Sequence, residues 1–223
     1  KSPFNKGGLF RPPFSKEGGD FDWIVCQSLA GKAPVLYIHS GVCPDGGAEK
    51  LVCHNWDLSP KEAVALQRQL AWLIKIQPLP SQFNILAASD IAYSKATDLL
   101  IAVMLTFTWP RLEPIESVRI ISQVSFPYIP GLLSFREVPP LIEAFRKLQR
   151  KPDVLLCDGQ GIAHPRRLGF AAHLGLCLDI PTVGCAKSRL CGEHGPLVLS
   201  KGRSVPLLLR NRQVGVAYCS RDG

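Results

Sequence analysis

The segment Lys151-Pro152-Asp153-Val154-Leu155-Leu156-Cys157-Asp158-Gly159-Gln160-Gly161 decides how this chain is read. An apolar run with the length of one buried strand ends abruptly in a carboxylate and two glycines. A carboxylate at the end of a buried strand is costly unless hydrogen-bond donors or a metal ion hold it. In open α/β sheets the carboxyl ends of the strands are also where ligands bind. Asp158 is therefore the residue for which partners must be found.

Upstream of this strand, residues 83–93, 99–108 and 115–123 read as three successive strands with short connections, an antiparallel meander. The loop Phe126-Pro127-Tyr128-Ile129-Pro130-Gly131 follows, then a helix over about 134–149. Downstream, a helix over about 168–178 precedes another buried strand at 182–186. A meander followed by alternating helices and strands is the order of the ribonuclease H-like fold, an α/β fold with a mixed sheet, although other α/β topologies share the pattern. Ahead of the meander, Ser59-Pro60-Lys61-Glu62 combines an N-cap, a proline at the first helical position and a capping-box glutamate. That signal predicts a helix to about residue 76, with Ala63, Leu66, Leu70, Leu73 and Ile74 facing the core and Trp72 and the lysines read as structural.

The first twenty residues hold a near repeat, Ser2-Pro3-Phe4-Asn5-Lys6-Gly7-Gly8 and Pro13-Phe14-Ser15-Lys16-Glu17-Gly18-Gly19, which has too little apolar content to build a core. Short strand-like pieces such as 34–39 follow. Residues 1–56 are thus expected to be a flexible N-terminal extension, and 57–223 the folded domain. With 46% hydrophobic and 20% charged residues, 223 residues suffice for one sizeable core. The net charge of +8 favours polyanionic partners, nucleic acid above all. Eight cysteines without Cys-x-x-Cys spacing suit reduced thiols used as small hydrophobes. Cys43, Cys53 and His54 match no standard zinc spacing and lack a fourth ligand. The longest apolar run, 99–109, is too short to cross a bilayer, and no secretory signal opens the chain, so a cytoplasmic protein with no membrane partner is expected.

Asp90 lies in Leu86-Ala87-Ala88-Ser89-Asp90-Ile91-Ala92-Tyr93, an acid inside the otherwise apolar first strand of the meander. If that strand runs beside the one ending at Asp158, the two carboxylates converge on one cation. Glu137, near the start of the intervening helix, offers a third acid; its plainer reading is a favourable charge near a helix N-terminus. Acidic oxygen ligands with no matching His and Cys set favour Mg²⁺, with Mn²⁺ as a substitute, over zinc. Beside a basic surface, such a cation points to phosphodiester chemistry, with a lysine or histidine steadying the developing charge. Lys187, after the buried strand, and His164, opening His164-Pro165-Arg166-Arg167 before a helix, are the candidates, and that cation cluster suits a phosphate. A solvated surface is the plainer reading of both. Gly159-Gln160-Gly161 is no dinucleotide fingerprint, because His164 stands where the third glycine belongs.

Three stretches, 127–137, 158–169 and 183–187, closely resemble the endonuclease V family, in the right order and over roughly residue 58 to the end. The resemblance implies a Mg²⁺-dependent nuclease of ribonuclease H-like fold. Such an enzyme recognises deoxyinosine in double- or single-stranded DNA and hydrolyses the second phosphodiester bond 3′ to the lesion. It implies Asp90, Asp158 and Glu137 as metal ligands, and Lys187 and His164 as basic catalytic residues. Pro127, Tyr128, Ile129 and Pro130 match a strand-separating wedge, and a rigid loop of this kind can present side chains for insertion at low entropic cost. The matching base pocket is Gly131, Leu133, Gly159, Gly169, Phe170, Gly184 and Ala186, mostly through main-chain contacts, with Arg166 and Arg167 at phosphates. A monomer is expected. An inosine-specific endoribonuclease is the nearest alternative reading. The sequence ends at Ser220-Arg221-Asp222-Gly223, where the family continues into a strand and helix with a Gly-His segment. This chain is accordingly expected to be incomplete and weakly active, and a fragment that binds nucleic acid without cutting it is the third reading.

Overall fold

A computed structural model describes residues 23–26, as backbone, and residues 54–222. The elements in chain order are β1 (Trp23–Cys26), α1 (Pro60–Leu70), β2 (Ile85–Ser94), β3 (Leu99–Thr108), β4 (Pro114–Gln123), α2 (Leu133–Lys147), β5 (Val154–Asp158), α3 (Phe170–Leu178), β6 (Thr182–Ala186), β7 (Ser204–Leu209) and β8 (Arg212–Cys219). They build one eight-stranded sheet in the order β4-β3-β2-β5-β6-β1-β8-β7. The meander β2-β3-β4 is antiparallel, whereas β2-β5 and β5-β6 are parallel. This is the mixed, ribonuclease H-like arrangement expected from the sequence.

The elements form for local reasons. The Ser59 N–H donates to Glu62 Oε2 at 2.8 Å and the Glu62 N–H to Ser59 Oγ at 3.4 Å, closing the capping box of α1. The helix stops at Leu70, with a 3₁₀ turn over Ala71–Leu73, short of the expected residue 76. Ile74 is already extended, in a stretch that leads into Pro78 and Pro80, where helical backbone is disfavoured. The early stop leaves Leu73, expected on the core face, 37% exposed, and Trp72, read as structural, 89% exposed. Helix α2 holds Pro139 and Pro140, and Lys151 Nζ closes its C-terminus by donating to the carbonyls of Phe145, Arg146 and Leu148.

All nine residues of α3 are buried. One core joins α2 and α3 to the sheet through Val138, Leu141, Leu155, Ala171 and Leu174; a second lies between α3, α1 and β7-β8 through Leu70, Ala172, Leu176, Leu207 and Val214. The hairpin β7-β8 was not foreseen. It turns at Arg210 and Asn211, both at positive φ (50° and 61°), with no Gly to mark the turn in the sequence.

The expected 1–56 extension lies mostly outside the described residues, including the strand-like 34–39, Cys43 and Cys53. Trp23–Cys26 pairs with β6 and β8, and the His54 and Trp56 rings pack on Phe135 and His173. No helix among the described residues is long and apolar enough to cross a membrane.

Candidate active site

Strand pairing brings the first two acids together. In the parallel β2-β5 register Ser89 faces Cys157, and one further step along both strands sets Asp90 beside Asp158. Strict alternation then puts both carboxylates on the same side of the sheet. On the other flank Asp158 pairs with Cys185, so Lys187, two residues on, reaches the same side. Its ammonium lies 2.5 Å from Asp158 Oδ2.

Glu137 arrives from α2 and interacts electrostatically with both aspartates. Burial first, then the charges of Asp158 and Asp90, push its carboxyl up to about 7 against the pull of Arg136. Burial and then Asp158 also raise Asp90, whose Oδ1 accepts the Ile91 N–H at 2.9 Å. Lys187 is disfavoured as a cation by burial, but the Asp158 hydrogen bond and the two aspartate charges outweigh that and hold its pKa above the usual value. These are carboxylates short of positive charge. Their oxygen chemistry fits a hard divalent cation, with the Lys187 ammonium supplying part of that charge.

Another cluster has a different character. One ligand atom each from His54, His173 and Cys177 lie within 4.8 Å of one another. The two imidazoles are already satisfied, Nε2 to Nε2 at 2.8 Å, with His173 Nδ1 on Ser134 Oγ and His54 Nδ1 on the Asn55 carbonyl. With Trp56 stacked on His173 and Phe135 edge-on to it, they form a packed, neutral pair.

Beside the acids opens a cavity of about 220 Å³, smaller than the ~300 Å³ at which pockets for drug-sized ligands begin. Of the residues matched to the base pocket, Gly131, Leu133, Gly159, Gly169, Phe170 and Ala186 line it and Gly184 does not. Gln67, Gln160, Ser188 and Leu190 join them unforeseen. The glycines serve protein packing. A Cβ on Gly169 would stand 2.4 Å from the Gln160 carbonyl oxygen, and one on Gly184 2.5 Å from that of Gly159. Phe170 presses its ring on Gly159 and forms one wall. The Gln160 Nε2 donates to the Ser188 carbonyl at 2.6 Å, while its buried Oε1 has no partner.

The loop 127–130 forms the rim. Tyr128 is 69% exposed and faces outward. Ile129 differs from the expected second inserting side chain: it is half-buried and packs toward Phe126, Leu132 and Phe135. At its end Gly131, at φ +81°, turns its carbonyl onto three donors: Gln67 Nε2 at 3.0 Å, His164 Nε2 at 2.9 Å and Arg166 Nη2 at 2.8 Å.

His164 therefore departs from its expected role at the phosphate. It is 2% exposed; Nε2–H donates to Gly131 and Nδ1 accepts the Arg166 N–H at 3.2 Å, so neither nitrogen is free. Burial and then the Arg166 charge hold it neutral, with a pKa of about 4. Arg166 is likewise engaged, its Nε on Gln67 Oε1, whereas Arg167 is half-buried at φ +60°. Arg136 was overlooked in the sequence. It is buried, stacks 4.3 Å over the Tyr93 ring and faces Glu137 with a charge.

Comparison with known proteins bears on this arrangement directly. The family model for endonuclease V matches residues 68–223. The chain belongs to the endonuclease V family. It is 44% identical to endonuclease V of Dehalococcoides mccartyi over 170 residues, 76% of either chain. The crystal structure of endonuclease V from Bacillus subtilis superposes with a TM-score of 0.71 at 29% identity, covering 76% of this chain and 75% of that one. The Ciona intestinalis enzyme, solved with a 24mer DNA containing an inosine followed by a ribo-adenosine, shares the fold at 21% identity and a TM-score of 0.57, over 73% and 82% of the two chains. Family membership makes this chain a nuclease.

Proposed function

We propose that this endonuclease is a monomeric, Mg²⁺-dependent repair enzyme of the cytoplasm that finds deoxyinosine in DNA and hydrolyses the second phosphodiester bond 3′ to it. The observation that carries the reading is the juxtaposition of Asp90 and Asp158 across β2-β5 with a base-sized cavity beside them. The DNA-bound inosine of the Ciona relative supports it.

Asp90, Asp158 and Glu137 would hold the Mg²⁺, which supplies Lewis-acid polarisation of a phosphoryl oxygen and an activated water. Lys187 stands beside Asp158, where its ammonium stabilises charge on the phosphate. Tyr128 enters the duplex from the rim at the lesion, where extrusion of a poorly paired base is cheapest. The extruded base occupies the cavity between the 127–131 loop and the turn into α3. The +8 charge attracts the nucleic-acid backbone in a salt-dependent manner.

The test is nicking of an end-labelled duplex with one deoxyinosine, in Mg²⁺, by this chain and by Asp158→Ala. Cleavage two bonds 3′ to inosine by the former alone is expected. Equal cutting by both, or of an unmodified duplex, overturns the reading. A matched RNA arm decides for the endoribonuclease alternative if it is cut faster, and tight inosine binding without any nicking decides for a binding fragment.

A further inference from the structure

Gln67 lies on α1, one residue ahead of the segment matched to the family, and is 1% exposed. Its neighbours on the same helix face, Ala63 and Leu70, are apolar core residues. Gln67 instead spends its amide on two loops. One Nε2–H donates to the Gly131 carbonyl at 3.0 Å and the other to the Leu168 carbonyl at 3.0 Å, while Oε1 accepts from Arg166 Nε at 2.5 Å. Both donors and one acceptor site are thereby satisfied, in a place where an unpaired amide would be costly.

Both loops line the cavity. Gly131 ends the rim loop with Tyr128, and Leu168 precedes Gly169, whose N–H is fixed to the Gly161 carbonyl at 2.9 Å. Among the described residues, no backbone–backbone hydrogen bond joins the rim loop directly to the 161–169 loop. His164 and Arg166 make that link through side chains, and Arg166 is itself oriented by Gln67.

We infer that Gln67 is a positioning residue that sets the distance between the Tyr128 rim and the 161–169 wall, and with it the selectivity of the cavity for the extruded base. The inference rests on the nuclease reading above. Gln67 touches no reacting atom; it acts through Gly131 and Leu168. Because His164 and Arg166 also hold the Gly131 carbonyl, its loss loosens the cavity without opening it.

The experiment compares the chain with Gln67→Met, which keeps the length and loses all three bonds, and Gln67→Glu, which keeps the bond from Arg166 and loses both donors. Binding to matched inosine and unmodified duplexes is read by fluorescence anisotropy without divalent cation, beside a thermal melt. Both variants are expected to melt cooperatively and keep their affinity for unmodified DNA, while the preference for inosine falls about tenfold, the scale of one or two lost hydrogen bonds. In a double-mutant cycle Tyr128→Ala and Gln67→Met are non-additive, since one acts through the loop that carries the other. An unchanged preference, a proportional loss of both affinities, full additivity, or failure of both variants to fold overturns the inference. If the unsubstituted chain itself shows no inosine preference, the substrate reading has failed instead.

Discussion

The Lys187 ammonium stands 2.5 Å from Asp158 Oδ2, so the acidic cluster already holds a cation of its own. The lysine side chain is 70% exposed and can leave at little cost. With the proposed metal ligands, Mg²⁺ and this ammonium would compete for one carboxylate before cooperating on a phosphate. Lys187→Met is expected to tighten Mg²⁺ binding, measured by calorimetry without DNA, while turnover on an inosine duplex drops by roughly a hundredfold. Weaker metal binding in the variant would show that the lysine organises the site rather than competing for it.

Glu137 is expected to make the metal-free protein less stable as the pH rises from 4.5 to 7. Its folded pKa of about 7 lies above the ordinary 4.5, so between those values the folded state binds the extra proton. The stability it contributes is complete below pH 4.5 and is lost as the pH rises through 7. Melting temperatures in chelator should therefore decline more steeply over pH 4.5 to 7 for the native chain than for Glu137→Gln. If Glu137 holds the metal as proposed, saturating Mg²⁺ should favour the ionised carboxylate and remove the difference. Parallel pH profiles in chelator would rule out the buried acid as the source.

Much of this site is legible because strands advertise themselves by local pattern. Residues 99–108 and 182–186 were bounded correctly in the sequence, and Asp90 and Asp158 stand out as acids in apolar runs. The parallel β2-β5 pairing that joins them is non-local and could only be supposed. The resemblance at 158–169 pointed to His164 as a basic catalytic residue, but the sequence does not reveal that the Gly131 carbonyl and the Arg166 N–H engage both its nitrogens. Gln67 was invisible for the same reason, since a glutamine in an amphipathic helix normally marks the solvated face. Leu73 misled in the opposite sense, because helical spacing implies burial only while the helix lasts.

His173 is expected to set the acid limit. Burial and then His54 hold it at about 3, far below the ordinary 6.5, with Nδ1 on Ser134 Oγ and Nε2 on His54. A depressed histidine contributes stability above pH 6.5 that is lost as the pH falls toward 3. His173→Phe leaves the ring volume and removes the titration. It should melt lower than the native chain at pH 7 yet lose less in going to pH 5, so the two melting curves converge on acidification. Divergence would place the acid sensitivity elsewhere, with His164 as the next candidate.

Gly169 separates packing from base recognition. An added Cβ would lie 2.4 Å from the Gln160 carbonyl oxygen and 2.5 Å from that of Gly161, both backbone atoms that cannot rotate away. Relief requires the turn between β5 and α3 to move, and that turn carries the Gly169 N–H bond to Gly161 and the Ala171 N–H bond to Gln160. Gly169→Ala should therefore cost about 1–3 kcal/mol of stability by denaturant titration, the range for overpacking a closed site. Gly195→Ala is the matched control, because nothing lies within 4 Å of its Cβ position, and its stability should change by less than about 0.5 kcal/mol. Since the moving turn is also a cavity wall, inosine preference should fall in Gly169→Ala even at temperatures where the variant is fully folded. A variant that is destabilised but still discriminates normally would show that the turn can yield without disturbing the cavity.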